Sequence, residues 1–318
     1  MEAIITVLLF LLGILLIVKG GDIFVDSASW IAEISGIPKF IIGATIVSLA
    51  TTLPELLVSV IATAQGKNDM AVGNAIGSVT ANVGLIMGIS ILCIPAVMKR
   101  SKLAFQGILL LLIVALLCLF SLNGSVTSLE GLVLLAFFCV FTWRSIRDAK
   151  SSMQKDTQAK EKPSRQEFGK NIAGFVVGAA GIVIGAQLLV DNGSLLARMI
   201  GVPESIIGVT LIAVGTSLPE LVTTITAIVK KQSSLSVGNI VGANIIDSSV
   251  ILPICSLISK GSLPVSTQSI RLDMPFCLLI LVIGLVPALI REKFSRIQGV
   301  LLLCTYTVYI FLVCTAGL

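Results

Sequence analysis

The sequence predicts an all-α polytopic membrane protein, ten transmembrane helices arranged as two inverted-topology repeats of five. Three observations lead there: scarce charge, long apolar runs, and a match between the two halves of the chain. Of 318 residues, 12% are charged and 56% hydrophobic, and the mean hydropathy is +1.05. Soluble domains carry about 25% charge, and a globule in water could not cover its surface with so few polar groups.

The runs Ile4 to Val18, Leu103 to Phe120 and Phe276 to Ile290 approach or meet the ~17–25 residues that cross hydrocarbon. Polar interruptions divide the chain into spans near 4–20, 39–65, 70–97, 103–121, 127–147, 170–190, 204–229, 235–259, 274–291 and 296–316. Glu2 precedes the first run and no Lys or Arg does, so that run reads as a retained span and not a cleavable signal. The stretch from Asp148 to Lys170 is rich in charge, Ser and Gln and reads as a flexible linker. The expected organisation is therefore a first five-helix repeat over 1–147, a cytoplasmic linker over 148–169 and a second repeat over 170–318.

Lys and Arg set the orientation, because cytoplasmic loops carry them in excess. With the N-terminus outside, 18 of the 22 fall on the cytoplasmic side, eight of them between Arg144 and Lys170. Only Lys67, Arg198, Lys260 and Arg271 remain outside. Both termini are thus expected outside an inner or plasma membrane. The net charge of +5 reflects this bias and implies no nucleic-acid partner.

The chain contains no histidine, which excludes His-built zinc and haem sites, Ser-His-Asp catalysis and His proton relays. The seven cysteines all lie in apolar stretches without a CxxC pair and read as buried small hydrophobes. Trp30 and Trp143 fit interfacial anchoring; with Tyr306 and Tyr309 they are too scattered for a binding cage.

Residues 25–77 align without a gap on 190–242, with 20 of 53 pairs identical. The core of the match is Thr51-Thr52-Leu53-Pro54-Glu55 against Thr216-Ser217-Leu218-Pro219-Glu220, followed by Val72-Gly73-Asn74 against Val237-Gly238-Asn239. Shared Pro, Glu, Asn and Gly do not arise from apolar composition, so the chain is duplicated. Five spans per copy is an odd number, so the second copy enters the membrane the other way round. Inverted repeats place substrate sites near the bilayer midplane, between broken helices.

Glu55 and Glu220 occupy equivalent positions inside spans, as do Asn82 and Asp247. An ionised acid at the bilayer centre costs about 2.5–3.5 kcal/mol on insertion scales. No Lys or Arg lies near them in the matching spans, so a cation or a proton must balance these charges. Pro54 and Pro219 lack an N–H, leaving carbonyls near Ala50 and Gly215 without that donor. Thr51, Thr52, Gly215 and Thr216 weaken the helix at the same place. Carbonyls, hydroxyls and carboxylates suit a hard cation such as Na+ or Ca2+, whereas softer metals favour Cys or His. Ser78 and Asn82 share a helix face, as do Ala243 and Asp247. Gly73, Gly77, Gly238 and Gly242 have the spacing of close helix packing. Asp26 and Asp191, at the ends of apolar runs, suggest a helix-end or interfacial role.

The paired T-T-L-P-E and T-S-L-P-E motifs, each followed by Gly-Asn-x-x-Gly, resemble the two α-repeats of the calcium/cation antiporter superfamily, and the chain is similar to prokaryotic sodium/calcium exchangers. The resemblance covers nearly the whole chain. It implies a core of spans 2, 3, 7 and 8, with spans 1 and 6 as long tilted helices that slide to alternate access. It implies Glu55 and Glu220 as shared Ca2+/Na+ carboxylates, assisted by backbone oxygens of Thr51 and Thr216. Flanking Na+ sites would use Ser48, Thr52 and Ser78 on one side and Ala213 and Ser217 on the other, with Asn82 and Asp247 between them. The chain departs from the family at Ala243, in place of a serine hydroxyl, at Ala50, in place of a glycine, at Ser48, in place of a small apolar residue, and at Val79, in place of the asparagine of G-S-N.

The expected activity is secondary antiport of Ca2+ against Na+ at one shared site, with the ions as transported substrates and no cofactor. A proton- or K+-dependent cation exchanger using the same carboxylates is the alternative. An intramembrane aspartyl protease would need a Gly-Asp dyad on two spans, which is missing. A channel would pass uncoupled current.

Overall fold

A computed structural model describes residues 2–93, 100–155, 163–200 and 215–316, which are almost wholly helical. Helix α1 (Glu2–Ser35) leads to α2 (Lys39–Thr51) and α3 (Leu53–Ala64), which meet at a 44° bend. Next come α4 (Asn68–Cys93), α5 (Arg100–Phe120), α6 (Ser128–Lys155) and α7 (Arg165–Met199). The chain ends with α8 (Leu218–Val229), α9 (Ser233–Ile258), α10 (Ser269–Arg291) and α11 (Arg296–Ala316). Among the described residues, eight helices are long and apolar enough to cross a membrane, or nine if α2 and α3 form one broken span. Ten were expected. The remaining one, 204–229, is described only from residue 215, and α8 is its apolar end.

Several boundaries differ from those expected, for identifiable reasons. Helix α1 does not stop near residue 20, because the acids that interrupt its apolar run have a partner. Lys230 Nζ, just beyond α8, lies 2.7 Å from Asp26 and 3.4 Å from Asp22. Neither Asp26 nor Asp191 is therefore at a helix end; both lie well inside α1 and α7. Helix α7 starts at Arg165, earlier than expected, on an N-cap: Ser164 Oγ accepts the Glu167 N–H at 3.1 Å. Because α6 also continues to Lys155, helix flanks both sides of the expected linker, and 156–162 lie outside the described residues. Helix α10 starts at Ser269, not 274, with a π-helical turn over Ser269–Asp273.

The two longest helices, α1 and α7, lie antiparallel along a seam of glycines. A Cβ on Gly20 would lie 2.9 Å from Gly178 O, and one on Gly185 would lie 2.8 Å from Gly13 O and 2.9 Å from Ile17 N. Real Cβ atoms do not come this close to backbone. Gly185→Ala is therefore expected to destabilise the protein by about 1–3 kcal/mol. Thermal unfolding in detergent measures it, and an unchanged midpoint would show that the seam is not tight.

Helix α2 crosses α9 equally closely. A Cβ on Gly43 would strike Leu235 O, and Cβ atoms on Gly238 and Gly242 would strike Phe40 O and Ala44 O. The packing expected of the glycine pairs thus holds for Gly238 and Gly242. Among the described residues, a Cβ on Gly73 or Gly77 meets nothing within 4 Å; the segment equivalent to α2, 204–216, lies largely outside them.

The apolar core runs through α5, α6 and α10, where Leu110, Ile113, Leu117, Phe141, Ile280 and Leu281 are buried. Pro287 cannot donate to Ile283 O, and Gln298 Nε2 supplies the missing donor at 2.8 Å. Two short strands, β1 (Ser125–Thr127) and β2 (Ser262–Pro264), pair antiparallel with Val126 opposite Leu263. They tie the turn after α5 to the turn after α9.

Large apolar side chains such as Leu57, Ile297 and Phe311 point outward, as a lipid-facing surface requires. The cysteines divide the same way: only Cys255 and Cys277 are buried, and Cys93, Cys139, Cys304 and Cys314 are exposed. Hydropathy does not distinguish a lipid-facing position from a core position, which is why all seven read as buried.

Candidate functional site

The duplicated segments fold alike, at the sequence offset of 165. Helices α3 and α8 begin at the equivalent Leu53 and Leu218 and end at Ala64 and Val229. Before each, the chain breaks at the same backbone angles: Thr52 has φ −84°, ψ −3° and Ser217 has φ −88°, ψ 7°. Pro54 and Pro219 occupy the first turn, where a missing N–H is tolerated. Glu55 and Glu220 follow in that turn, at the positive end of a helix. In α4 and α9, a π-helical turn begins at Asn82 and at Asp247. Such turns are frequent at functional sites.

Every sequence-predicted residue that is described, except Thr216, is buried: Ser48, Thr51, Thr52, Glu55, Ser78, Asn82, Ser217, Glu220 and Asp247. Thr216 is half-buried and lines a cavity, and Ala213 lies outside the described residues. Four contacts draw the two halves together. Thr52 Oγ1 donates to Glu220 Oε1 at 3.4 Å, and Thr51 Oγ1 to Asn239 Oδ1 at 3.3 Å. Asn82 Nδ2 donates to Asn244 Oδ1 at 3.0 Å, and Ser217 Oγ lies 3.4 Å from Ser78 Oγ.

The hydroxyls are less symmetric than the backbone. The positions equivalent to Ser217 and Ser78 are Thr52 and Ala243, so that cross-contact is missing. Thr52 Oγ1 turns instead to its own Ser48 carbonyl, at 2.7 Å, and to Glu220.

Six buried oxygens at these positions have no hydrogen-bond partner among the described residues: both of Glu55, both of Asp247, Glu220 Oε2 and Asn82 Oδ1. No ion pair among the described residues includes any of the three acids. Buried polar atoms in native proteins are nearly always partnered, so this set stands ready for an external cation or proton. Among the described residues no three acids gather into a metal cage by themselves. A cation here must therefore also take amide, hydroxyl and main-chain oxygens.

Several residues of the site carried no assigned role in the sequence. Asn239 accepts from Thr51 and donates to Thr223 Oγ1 at 3.0 Å. Its counterpart Asn74 donates to the Glu55 carbonyl at 3.1 Å and to Ser59 Oγ at 2.9 Å. Their recurrence in both repeats was the available signal. Asn244 has no such counterpart, since Val79 stands at its place. The two tyrosines read as scattered also come together: Tyr306 and Tyr309 line one wall of a cavity of about 350 Å³. Asn74, Ser78 and Thr216 line the same cavity.

A family model described as sodium/calcium exchanger protein matches residues 5–147 and 170–315. The sodium/calcium exchanger MaX1 of Methanosarcina acetivorans is 31% identical over 341 aligned positions, covering 95% of this chain and 97% of that one. The inner membrane protein YrbG of Escherichia coli is 31% identical over 261 residues, 80% of each chain. Among solved structures, the sodium-calcium exchanger NCX_Mj soaked with Na+ and Sr2+ superposes with a TM-score of 0.84 at 28% identity. That match covers 97% of this chain and 98% of the other.

Proposed function

The chain belongs to the sodium/calcium exchanger family, and from that premise we propose that it exchanges Ca2+ for Na+ by alternating access, with both ions competing for the carboxylates Glu55 and Glu220. The family is one of multi-pass membrane transporters and not of enzymes, its activity is cation/Ca2+ antiport, and its ions are transported substrates needing no cofactor. The proposal concerns the coupling ion, the residues and the cycle.

The observation that carries it is the set of six unpartnered oxygens on Glu55, Glu220, Asp247 and Asn82. Ca2+ takes 6–8 oxygen ligands, and the unpartnered oxygens of Glu55 and Glu220, with neighbouring amide and main-chain oxygens, are the kind of ligand a hard cation prefers. Thr51 and Thr216 contribute through their main chains. Ser48, Thr52 and Ser78 on one side, and Ala213 and Ser217 on the other, flank the centre as Na+ ligands. Left empty, the site buries uncompensated negative charge, so the switch is disfavoured until Ca2+ or Na+ arrives. That penalty couples the two fluxes.

We also infer ten spans in two inverted repeats, 1–147 and 170–318, joined by a cytoplasmic linker, with both termini outside. The recurrence of helix bounds at one offset and the antiparallel pairing of α1 with α7 support this reading. The glycine seam between α1 and α7 has few side chains to interlock, which suits two helices that slide as a pair.

Reconstituted vesicles test the coupling ion. A Na+ gradient at fixed pH is expected to drive Ca2+ uptake, and a pH gradient without Na+ is not. The reverse pattern would assign a proton exchanger, and dependence on K+ with Na+ present would add a second coupling ion.

A further inference from the structure

Asp273 is an acid that the transport site does not use. It lies in the π-helical turn that opens α10 and is 7% exposed. Its two oxygens each accept one hydroxyl: Tyr309 donates to Oδ1 at 3.2 Å and Ser269 to Oδ2 at 3.0 Å. Ser266 Oγ in turn lies 3.1 Å from Ser269 Oγ. Arg271, two residues earlier, is exposed, and no ion pair among the described residues joins it to Asp273. The carboxyl group is held in place by neutral groups, and no basic side chain among the described residues pairs with it.

Its position gives that charge a use. Asp273 and Tyr309 line the same cavity of about 350 Å³ as Asn74, Ser78 and Thr216. Asp273 is the one ionisable acid among the described lining residues. A low-dielectric chamber lined by one sign of charge concentrates ions of the opposite sign and raises their association rate. Each Asp273 oxygen has further lone-pair capacity beyond the single hydroxyl it accepts.

We propose that Asp273, oriented by Tyr309 and Ser269, is a cation-recruiting station in the vestibule that leads to the Glu55/Glu220 site. It holds a hydrated divalent cation transiently and governs how fast the ion arrives from that face, not how tightly the inner site binds it. The proposal rests on the exchange reading for the ion's destination.

The test compares wild type with Asp273→Asn, which keeps the shape and removes the charge. Gln268→Glu is the complement, because Gln268 is an exposed residue of the same cavity wall and the change adds a charge. In vesicles of both orientations, Asp273→Asn is expected to raise the KM for Ca2+ about fivefold from one face only. Its maximal rate should stay within about twofold, and its dependence on ionic strength should flatten. Gln268→Glu should lower the same KM about twofold. An unchanged KM and salt dependence in Asp273→Asn overturns the proposal, as does a fall in maximal rate alone, which a structural role would give. If Asp273→Asn does not fold, Gln268→Glu decides, and an unchanged KM overturns the proposal. The rate of Ca2+ association with purified protein, followed with an indicator dye, separates this from the exchange reading. Slowed association in Asp273→Asn supports recruitment even if Na+ proves not to drive uptake, and unchanged association refutes it even if exchange is intact.

Discussion

Glu55→Gln and Glu220→Gln are each expected to reduce Na+-driven Ca2+ uptake to background while the protein stays folded. The attraction between a divalent ion and one carboxylate at 4 Å is about 8 kcal/mol at an effective dielectric constant of 20. Even if desolvation cancels two thirds of it, the remainder exceeds the ~2.7 kcal/mol that makes a hundredfold change in affinity. Glutamine has the shape of glutamate, and removing an unpaired buried charge relieves a cost. Stability without ions should therefore hold or rise, while the stabilisation that added Ca2+ gives the wild type should vanish. Radioactive-Ca2+ uptake and thermal unfolding with and without Ca2+ measure both halves. Wild-type exchange in either mutant would remove that residue from the site.

The second large effect separates two equivalent glycines. Gly238→Ala places a methyl group against Phe40 O, with Ala44 N at 3.1 Å, and both are backbone atoms that have no rotamer to yield. It is expected to cost about 3 kcal/mol or more, seen as loss of folded protein in detergent. Among the described residues Gly73→Ala meets nothing within 4 Å, and it is expected to leave the fold intact, since alanine favours helix by about 1 kcal/mol over glycine. Transport should still fall in Gly73→Ala. If the halves exchange roles during the cycle, the face of α4 around Gly73 packs at some stage as closely as that of α9 does. Full transport in Gly73→Ala would argue that this face never packs so closely.

Much of this molecule could be read from its residues, because membrane spans announce themselves by length and the duplication marks the important positions twice. Glu55 and Glu220 stood out on both counts. What stayed hidden depends on partners far away in the chain. Helix α1 passes Asp22 and Asp26 because Lys230 meets them, which no local window contains. Asp273 looked like loop beside Arg271, yet Tyr309, 36 residues on, holds it inside. The β1–β2 ribbon joins three-residue strands from opposite halves, too short for any periodicity. Asn244 escaped because Val79 at the equivalent place gave no second signal.

The tie between Lys230 and α1 has a consequence for direction. Its three charges, Asp22, Asp26 and Lys230, correspond in the other repeat to Gln187, Asp191 and Gln65, which carry one charge and form no ion pair among the described residues. The backbone is duplicated, but this latch is not. With Lys230 a quarter exposed and Asp26 two-thirds exposed, the latch is worth less than about 1 kcal/mol and weakens with salt. At most, that makes two opposed transitions differ about fivefold in rate. In the proposed cycle the two transitions are therefore not mirror images, and ionic strength on the face that carries the latch adjusts the difference between them.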